Sequence, residues 1–143
     1  MVDVTEKAAT VRTAVAAGTV HTTAEVVSLI TSRGLPKGDA LATARVAGIL
    51  AAKRTSDLIP LCHPLALTGI DVEFSIEDSA VVLTASVRTT DRTGVEMEAL
   101  TAVSVAALTL FDMIKAVDPA ARLDDIRVLR KDGGKTGVWT RDS

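Results

Sequence analysis

Loosely alternating apolar residues predict a β-strand over Thr10–Thr22, with a break at Gly18. Apolar residues at helical spacing follow over Thr23–Ser32, and the Thr23 hydroxyl is placed to cap the first turn of this helix. Gly34 is expected to end the helix, since glycine readily adopts the left-handed conformation that closes helices. The pattern therefore predicts a strand followed by a short helix.

A second helix, rich in alanine, is expected over Gly38–Arg54, with Asp39 as its N-cap. Two prolines exclude a regular helix over Asp57–Leu67. The valine, isoleucine, phenylalanine and threonine content then favours two strands joined as a hairpin, over Thr68–Ile76 and Ala80–Thr89.

The longest predicted helix covers Gly94–Val117 and ends before Asp118-Pro119, because a residue that precedes proline resists the helical conformation. A last short strand is expected over Ile126–Leu129, followed by a turn over Lys131–Lys135. This order predicts an α+β sandwich in a single domain over residues 1–143, with helices on one face of a mainly antiparallel sheet.

The composition excludes several classes of function. The chain has 143 residues, with 16 Lys and Arg against 18 Asp and Glu, so a broadly basic surface for nucleic acid is excluded. Only 2% of the residues are aromatic, which excludes the stacking of bases on several aromatic platforms. The longest uncharged stretches have about 13 residues, short of the roughly 18 that a membrane span needs. The single cysteine suits a reducing compartment, the cytoplasm.

Asp112 and Lys115 lie three positions apart in the longest predicted helix, and therefore on one face of it. A carboxylate beside an amine can exchange protons with it, and burial would lower the pKa of the lysine toward the range used in catalysis. The spacing also fits an ordinary helix ion pair of about 0.3–0.5 kcal/mol. Their apolar neighbours favour a functional role; these neighbours are Leu108, Leu110, Phe111, Met113 and Ile114.

Glu96 and Glu98 lie in the first turn of the same helix, where the helix dipole alone favours carboxylates. Glu98 and Asp112 are fourteen positions apart, about 21 Å along a helix axis. One nucleotide-sized ligand could hardly contact both in a single chain, so a site shared between subunits is the natural arrangement if both are functional. Abundant alanine and valine, which fill little core volume, also favour association of copies over a close-packed monomer.

Cys62 and His63 lie in the segment Leu61–Leu65, between Pro60 and Pro64. Neighbouring residues of an extended chain point to opposite sides, so these two cannot form a nucleophile–base pair. His63, on a rigid loop, is a candidate functional residue, whereas Cys62 is expected to be a small buried apolar residue. One cysteine and two histidines do not favour a structural zinc site, and no metal site is expected.

The segment Lys131–Gly137 is rich in glycine and lysine, and consecutive backbone N–H groups in such a loop can bind an anion. Leu129 stands where a nucleotide-binding P-loop has its first glycine, and no helix is predicted to follow, so a Walker site is rejected. A phosphate or carboxylate site and a flexible polar tail both remain open. Lys37 lies just before a predicted helix start, where anions are favoured.

A series of motifs runs in order along nearly the whole chain: Met1–Val4, Lys37–Asp39, Ala42–Arg45, Ala51–Thr55, Asp57–Leu65, Thr93–Thr101, Asp112–Val117, Lys131 and Gly133–Gly137. Together these motifs resemble the cyclic pyranopterin monophosphate synthase family, the C proteins of molybdenum cofactor biosynthesis. The middle motifs are long enough to be highly specific.

The resemblance implies a ferredoxin-like α+β fold and a phosphorus–oxygen lyase that acts on a cyclised guanosine triphosphate, (8S)-3',8-cyclo-7,8-dihydroguanosine 5'-triphosphate. Such an enzyme rearranges the purine-derived ring into a pyranopterin, closes a cyclic phosphate and releases pyrophosphate. The resemblance also implies a homo-hexamer, a trimer of dimers, with the substrate pocket at a subunit interface. No cofactor is implied, apart from magnesium that could accompany the triphosphate.

The resemblance further implies roles for individual residues. Asp112 and Lys115 match the acid–base pair of the family. Residues at positions that line or contact the substrate pocket are Lys37, Leu61, Cys62, His63, Glu96, Met97, Glu98 and Lys131. Two other classes of function remain open: a non-catalytic oligomer that binds a nucleotide or pterin, and a lysine Schiff-base enzyme that acts on a carbonyl substrate.

Overall fold

The computed structural model describes residues 1–135 and 137–142. Within these residues the chain forms five strands and four helices. In order, they are β1 (Thr10–His21), α1 (Ala24–Ser32), α2 (Ala40–Lys53), α3 (Thr55–Leu58), β2 (Leu67–Ile76), β3 (Ala80–Asp91), α4 (Glu96–Ile114), β4 (Arg122–Asp132) and β5 (Trp139–Thr140).

The strands form one sheet in the order β2-β3-β1-β4-β5, and each neighbouring pair is antiparallel. Helix α4 packs against β1, β3 and β4, while α2 packs against β2 and α4. A first strand placed between the third and fourth, with helical crossovers on both sides of a central hairpin, is the ferredoxin-like arrangement. This confirms the predicted α+β sandwich.

The predicted caps of the first two helices are confirmed. Thr23 Oγ1 accepts a hydrogen bond from the Val26 N–H at 3.2 Å, and Asp39 Oδ1 accepts one from the Ala42 N–H at 3.1 Å. The predicted last residue of α1, Ser32, is confirmed, but the residue predicted to close the helix in the left-handed conformation is wrong by one position. Arg33, not Gly34, adopts the left-handed conformation with a φ of 58°, and the Gly34 N–H donates to the Leu29 carbonyl oxygen at 2.9 Å.

Small residues let α2 and α4 approach each other closely. A Cβ atom added at Gly48 of α2 would lie 3.0 Å from the Ala102 carbonyl oxygen and 3.2 Å from the Ala106 Cβ atom of α4. Ala44 of α2 is also fully buried. The relative position of the two helices therefore depends on the absence of side-chain volume at this contact.

Two predictions about the strands are wrong. β1 is continuous through Gly18, which pairs with Leu83 of β3, although the pairing of β1 with β4 shifts its register between Ala17 and Thr19. A Cβ atom at Gly18 would collide with Val103 and Ile126, so glycine lets both side chains pack directly on the strand. β4 extends well beyond the predicted Ile126–Leu129. Its flanks carry charged side chains, because the strand lies near the sheet edge beside the two-residue β5, and such positions do not show the alternation of a half-buried strand.

Helix α4 is the core helix of the fold. By length and composition alone it could cross a membrane, but 56% of its most apolar window is buried inside the protein. Its buried residues include Ala99, Val103, Ala106 and Leu110, which belong to the same core cluster as the inward residues of the sheet. The apolar character of α4 is accounted for by this packing.

Candidate active site

Asp112, near the C-terminal end of α4, accepts hydrogen bonds from two lysines. Lys115 Nζ lies 2.9 Å from its Oδ1 atom, as the spacing in the sequence predicts. Lys37 Nζ lies 2.8 Å from its Oδ2 atom. Lys37 reaches Asp112 from the loop between α1 and α2, just before the N-cap of α2, so the close packing of α2 on α4 brings the two residues together.

The two ammonium groups keep Asp112 ionised. The hydrogen bond from Lys37, followed by that from Lys115, lowers the pKa of Asp112 from 3.8 to about 2. The side chains of Lys37, Asp112 and Lys115 are each about half exposed. None of them lines either of the two cavities described below. A single chain therefore presents this lysine–aspartate–lysine cluster on an open surface.

A large cleft of about 1210 Å³ lies at the opposite end of α4. Lys131 Nζ lies 3.6 Å from Glu96 Oε2 at its wall. The lining contains four basic side chains, Lys7, Arg12, Lys131 and Lys135, and four acidic ones, Asp3, Glu6, Glu96 and Asp132. The cleft therefore offers cations that can bind phosphate groups and carboxylates that can accept hydrogen bonds from the donor groups of a ligand.

The glycine-rich turn after β4 closes one side of the large cleft. Gly133 has a φ of 100°, and a Cβ atom there would collide with the Val11 carbonyl oxygen of β1. Gly134 also lines the cleft. The turn leads into β5, not into a helix, which agrees with the rejection of a Walker site. Thr136, part of the predicted glycine-rich loop, lies outside the described residues.

His63 lines a smaller cavity of about 340 Å³ together with Asp3. The hydrogen bond from the Thr5 hydroxyl, followed by that from the Thr5 N–H, lowers the pKa of Asp3, and the charge of His63 acts in the same direction. Asp3, Thr5 and Thr93 line both the smaller cavity and the large cleft. The segment that contains Asp3 is therefore the wall between His63 and the residues around Lys131.

Glu98, a predicted site residue, is a buried acid, with 4% of its surface exposed. Burial, and to a lesser extent the charge of Glu96, raises the pKa of Glu98. Burial, followed by the charge of Glu98, raises the pKa of the Cys62 thiol. Cys62 is only half-buried, so the expectation of a buried apolar residue is wrong. Leu61 and Met97 are 70% and 37% exposed.

The predicted site residues fall into two groups within one chain. Helix α4 is unbroken from Glu96 to Ile114, so Glu98 and Asp112 lie about 21 Å apart along its axis. The Lys37–Asp112–Lys115 cluster is at one end, and Glu96, Glu98 and Lys131 are at the other. Site reasoning from the sequence missed Asp3 and Arg12 as lining residues, although Asp3 lies in the Met1–Val4 motif.

The comparison with protein families decides the relationship of the chain. The model of the MoaC family matches residues 1–134. The chain belongs to the MoaC family. Among curated relatives, cyclic pyranopterin monophosphate synthase 2 of Mycobacterium tuberculosis (strain ATCC 25618 / H37Rv) is 74% identical over 141 residues, which cover 99% of this chain and 84% of the relative.

Other relatives of this MoaC chain carry the same kind of name. Cyclic pyranopterin monophosphate synthase of Streptomyces coelicolor is 64% identical over 99% of this chain and 83% of the relative. The synthase of Corynebacterium efficiens is 60% identical over 98% of this chain and 90% of the relative. The similarity therefore extends over the cluster around Asp112 and the cleft around Lys131 alike.

Proposed function

We propose that this MoaC-family chain is a cyclic pyranopterin monophosphate synthase. It converts the cyclised dihydroguanosine triphosphate to cyclic pyranopterin monophosphate and pyrophosphate, an early step of molybdenum cofactor biosynthesis. The relatives that bear this name support the proposal. The observation that carries it is the Asp112 carboxylate held between the ammonium groups of Lys37 and Lys115.

The proposed chemistry divides between the two groups of residues. A ribose hydroxyl loses its proton to water as its oxygen attacks the α-phosphorus, and the bond from this phosphorus to the oxygen that bridges to the β-phosphate breaks. Pyrophosphate leaves with its charge stabilised by Lys37 and Lys131. Opening and closing of the purine-derived ring requires proton transfer, which Lys115 performs while ionised Asp112 orients it. Residues proposed to contact the substrate elsewhere are Leu61, Cys62, His63, Glu96, Met97 and Glu98.

We further propose that the active site forms between chains of a homo-hexamer built as a trimer of dimers. The separation of Glu98 and Asp112 along α4 supports a shared site, because one nucleotide-sized ligand does not span it within a chain. The exposed apolar side chains of Leu61 and Met97, at proposed substrate contacts, give a neighbouring copy a surface to cover.

The enzyme is proposed to work in the cytoplasm without a resident cofactor. Its one cysteine suits a reducing compartment. Within residues 1–135 and 137–142, no group of three or more His, Cys, Asp or Glu is placed to hold a metal ion. Magnesium would enter with the triphosphate as part of the substrate, and prolonged treatment of the protein with a chelator, followed by assay with and without added magnesium, tests this.

The experiment that tests the function is turnover of the cyclised substrate by the purified chain, followed by phosphorus NMR of released pyrophosphate and mass spectrometry of the product. Lys115→Ala is expected to lower kcat more than about a hundredfold while substrate Kd stays within about threefold. Lys53→Ala, an exposed lysine at the end of α2, is the matched control. Turnover by Lys115→Ala within about tenfold of wild type contradicts the catalytic role.

A further inference from the structure

The segment Trp139–Arg141 folds back along the strand that carries Lys131. β5 pairs antiparallel with β4, so Thr140 lies opposite Arg130 and Trp139 lies opposite Lys131. The Arg141 N–H donates to the Leu129 carbonyl oxygen at 2.8 Å, and Arg141 Nε donates to the Val128 carbonyl oxygen at 2.7 Å. Four consecutive residues of β4, ending at Lys131, are thereby joined to this segment.

Trp139 shares the face of the sheet on which the Lys131 side chain lies. Residues opposite one another in antiparallel strands point to the same face. On its other side, Lys131 is paired with Ala14 of β1, which is fully buried in the core beneath the helices. Ala14, Lys131 and Trp139 therefore form one row across β1, β4 and β5.

Trp139 is held at the outer end of this row. The Arg141 guanidinium carbon lies 5.5 Å from the centroid of the Trp139 ring. Trp139 is 40% exposed and is not among the residues that line the large cleft. Trp139 is therefore placed to act on a ligand through its neighbour Lys131 and not by direct contact.

We infer that Trp139 and the strand that holds it form a positioning device for Lys131. The flat indole of Trp139 on one side and buried Ala14 on the other restrict the stem of Lys131. Its ammonium group is thereby directed to the edge of the large cleft formed by Glu96, where Lys131 Nζ lies 3.6 Å from Glu96 Oε2. The inference rests on the proposed function, since Lys131 belongs to its substrate-contacting set. The residues that form the device, Trp139 and Arg141, lie beyond the family match, which ends at residue 134.

The device acts on binding and not on the chemical step. A lysine on a flexible four-carbon stem loses conformational freedom when it binds phosphate, and restraint in the free protein reduces that loss. Asp112 and Lys115 lie at the far end of α4 and are untouched by the restraint. Removal of the indole is therefore expected to raise KM and leave kcat in place.

Steady-state kinetics of Trp139→Ala and Trp139→Phe test the inference. We expect Trp139→Ala to raise KM, and the Kd for inorganic pyrophosphate, about fivefold to tenfold with kcat within about twofold of wild type. Trp139→Phe keeps a flat ring and is expected to restore both constants to within about twofold. An unchanged KM in Trp139→Ala, or a loss confined to kcat, overturns the inference.

Arg141→Ala provides the same test if Trp139→Ala does not fold, since this variant loses only the bond to Val128 and the cover on the indole. A KM raised about threefold supports the device, and an unchanged KM overturns it. Arg122→Ala removes an exposed arginine from the other end of β4 and is the matched charge control.

A fluorescence titration separates this inference from the proposed function, because Trp139 is the one tryptophan of the chain and the chain has no tyrosine. Pyrophosphate is expected to change the Trp139 emission of the wild-type protein saturably, and Lys131→Ala is expected to abolish the change. If this holds while the cyclised substrate is not turned over, the proposed function fails and the positioning role stands. If turnover is seen but pyrophosphate leaves the emission unchanged, the positioning role fails alone.

Discussion

Lys37 Nζ donates a hydrogen bond to Asp112 Oδ2 over 2.8 Å, although 75 positions separate the two residues in the chain. Lys115 occupies the other carboxylate oxygen, so each oxygen has its own ammonium partner. With its pKa lowered to about 2 by Lys37 and then by Lys115, Asp112 is ionised throughout the neutral range. In the free chain it is therefore an anchor for two cations and not a proton donor.

Replacement of Lys37 is expected to raise the pKa of Asp112. Lys37→Met removes the hydrogen bond that lowers the pKa of Asp112 most, so this pKa moves from about 2 back toward 3.8. A carbon NMR titration of the Asp112 carboxyl measures it, with Lys53→Met as the control. Because a lowered pKa favours the ionised native state, its contribution to stability is full above pH 3.8 and is lost as pH falls toward about 2. A titration of Asp112 unmoved by Lys37→Met contradicts this account.

Glu98→Gln is expected to stabilise the fold at high pH but not at low pH. Burial, and secondarily Glu96, raises the pKa of Glu98, so the native state disfavours its ionised form. Stability is therefore lost as pH rises from 4.5 through the raised pKa, and the uncharged amide escapes this loss. Thermal unfolding should give similar Tm values for variant and wild type near about pH 4, and a Tm a few degrees higher for the variant near about pH 8.

Glu25→Gln, an exposed acid in the first turn of α1, is the matched control for this comparison. Its Tm difference from wild type is expected to stay small at both pH values. A Glu98→Gln effect of equal size at low and high pH would show that the side-chain charge is not the cause.

Two inactive variants are expected to restore activity when their subunits exchange. Glu98→Ala and Asp112→Ala remove groups at opposite ends of α4. If each site takes its Glu98 from one chain and its Asp112 from another, random mixing of equal amounts leaves about one quarter of sites intact. Turnover of the mixture, after exchange confirmed by native mass spectrometry, measures this. Exchange with no recovery of turnover would contradict a shared site.

Gly48→Leu is expected to destabilise the protein by about 1–3 kcal/mol, because the new side chain must enter the contact between α2 and α4. Urea unfolding measures the loss, and Ala42→Leu, at an exposed position of the same helix, should change stability by less than about 0.5 kcal/mol. The leucine side chain would also push α2 away from α4 and so separate Lys37 from Asp112. Turnover should therefore fall as well. Equal stability of the two variants would contradict the close packing.

Signals local to a few residues were sufficient to predict much of the fold. The caps at Thr23 and Asp39, and the single face shared by Asp112 and Lys115, follow from spacing alone. Arg33 takes the left-handed position in place of Gly34, because either residue can present the N–H groups that close the helix. The length of β4 was underestimated, because its charged residues near the sheet edge obscure the alternation of apolar and polar positions that predicts a strand.

The partners within the site could not be predicted in the same way. Lys37 contacts Asp112 only because α2 packs on α4. The spacing of residues along the sequence does not predict a contact that depends on the packing of two helices. Asp3 joins the wall beside His63 because the segment before β1 crosses the two cavities. The separation of Glu98 from Asp112, by contrast, was predictable, since it depends on the rise of one helix.

Because α4 is unbroken between Glu98 and Asp112, the number of residues between them fixes the directions in which the two side chains point. One residue inserted in its middle would turn Asp112 by about 100° about the helix axis relative to Glu98, with all side chains kept. In the proposed site shared between chains, one of the two carboxylates would then be directed away from the common ligand. Helix length at this place is therefore under as strict a requirement as the identity of the acids themselves.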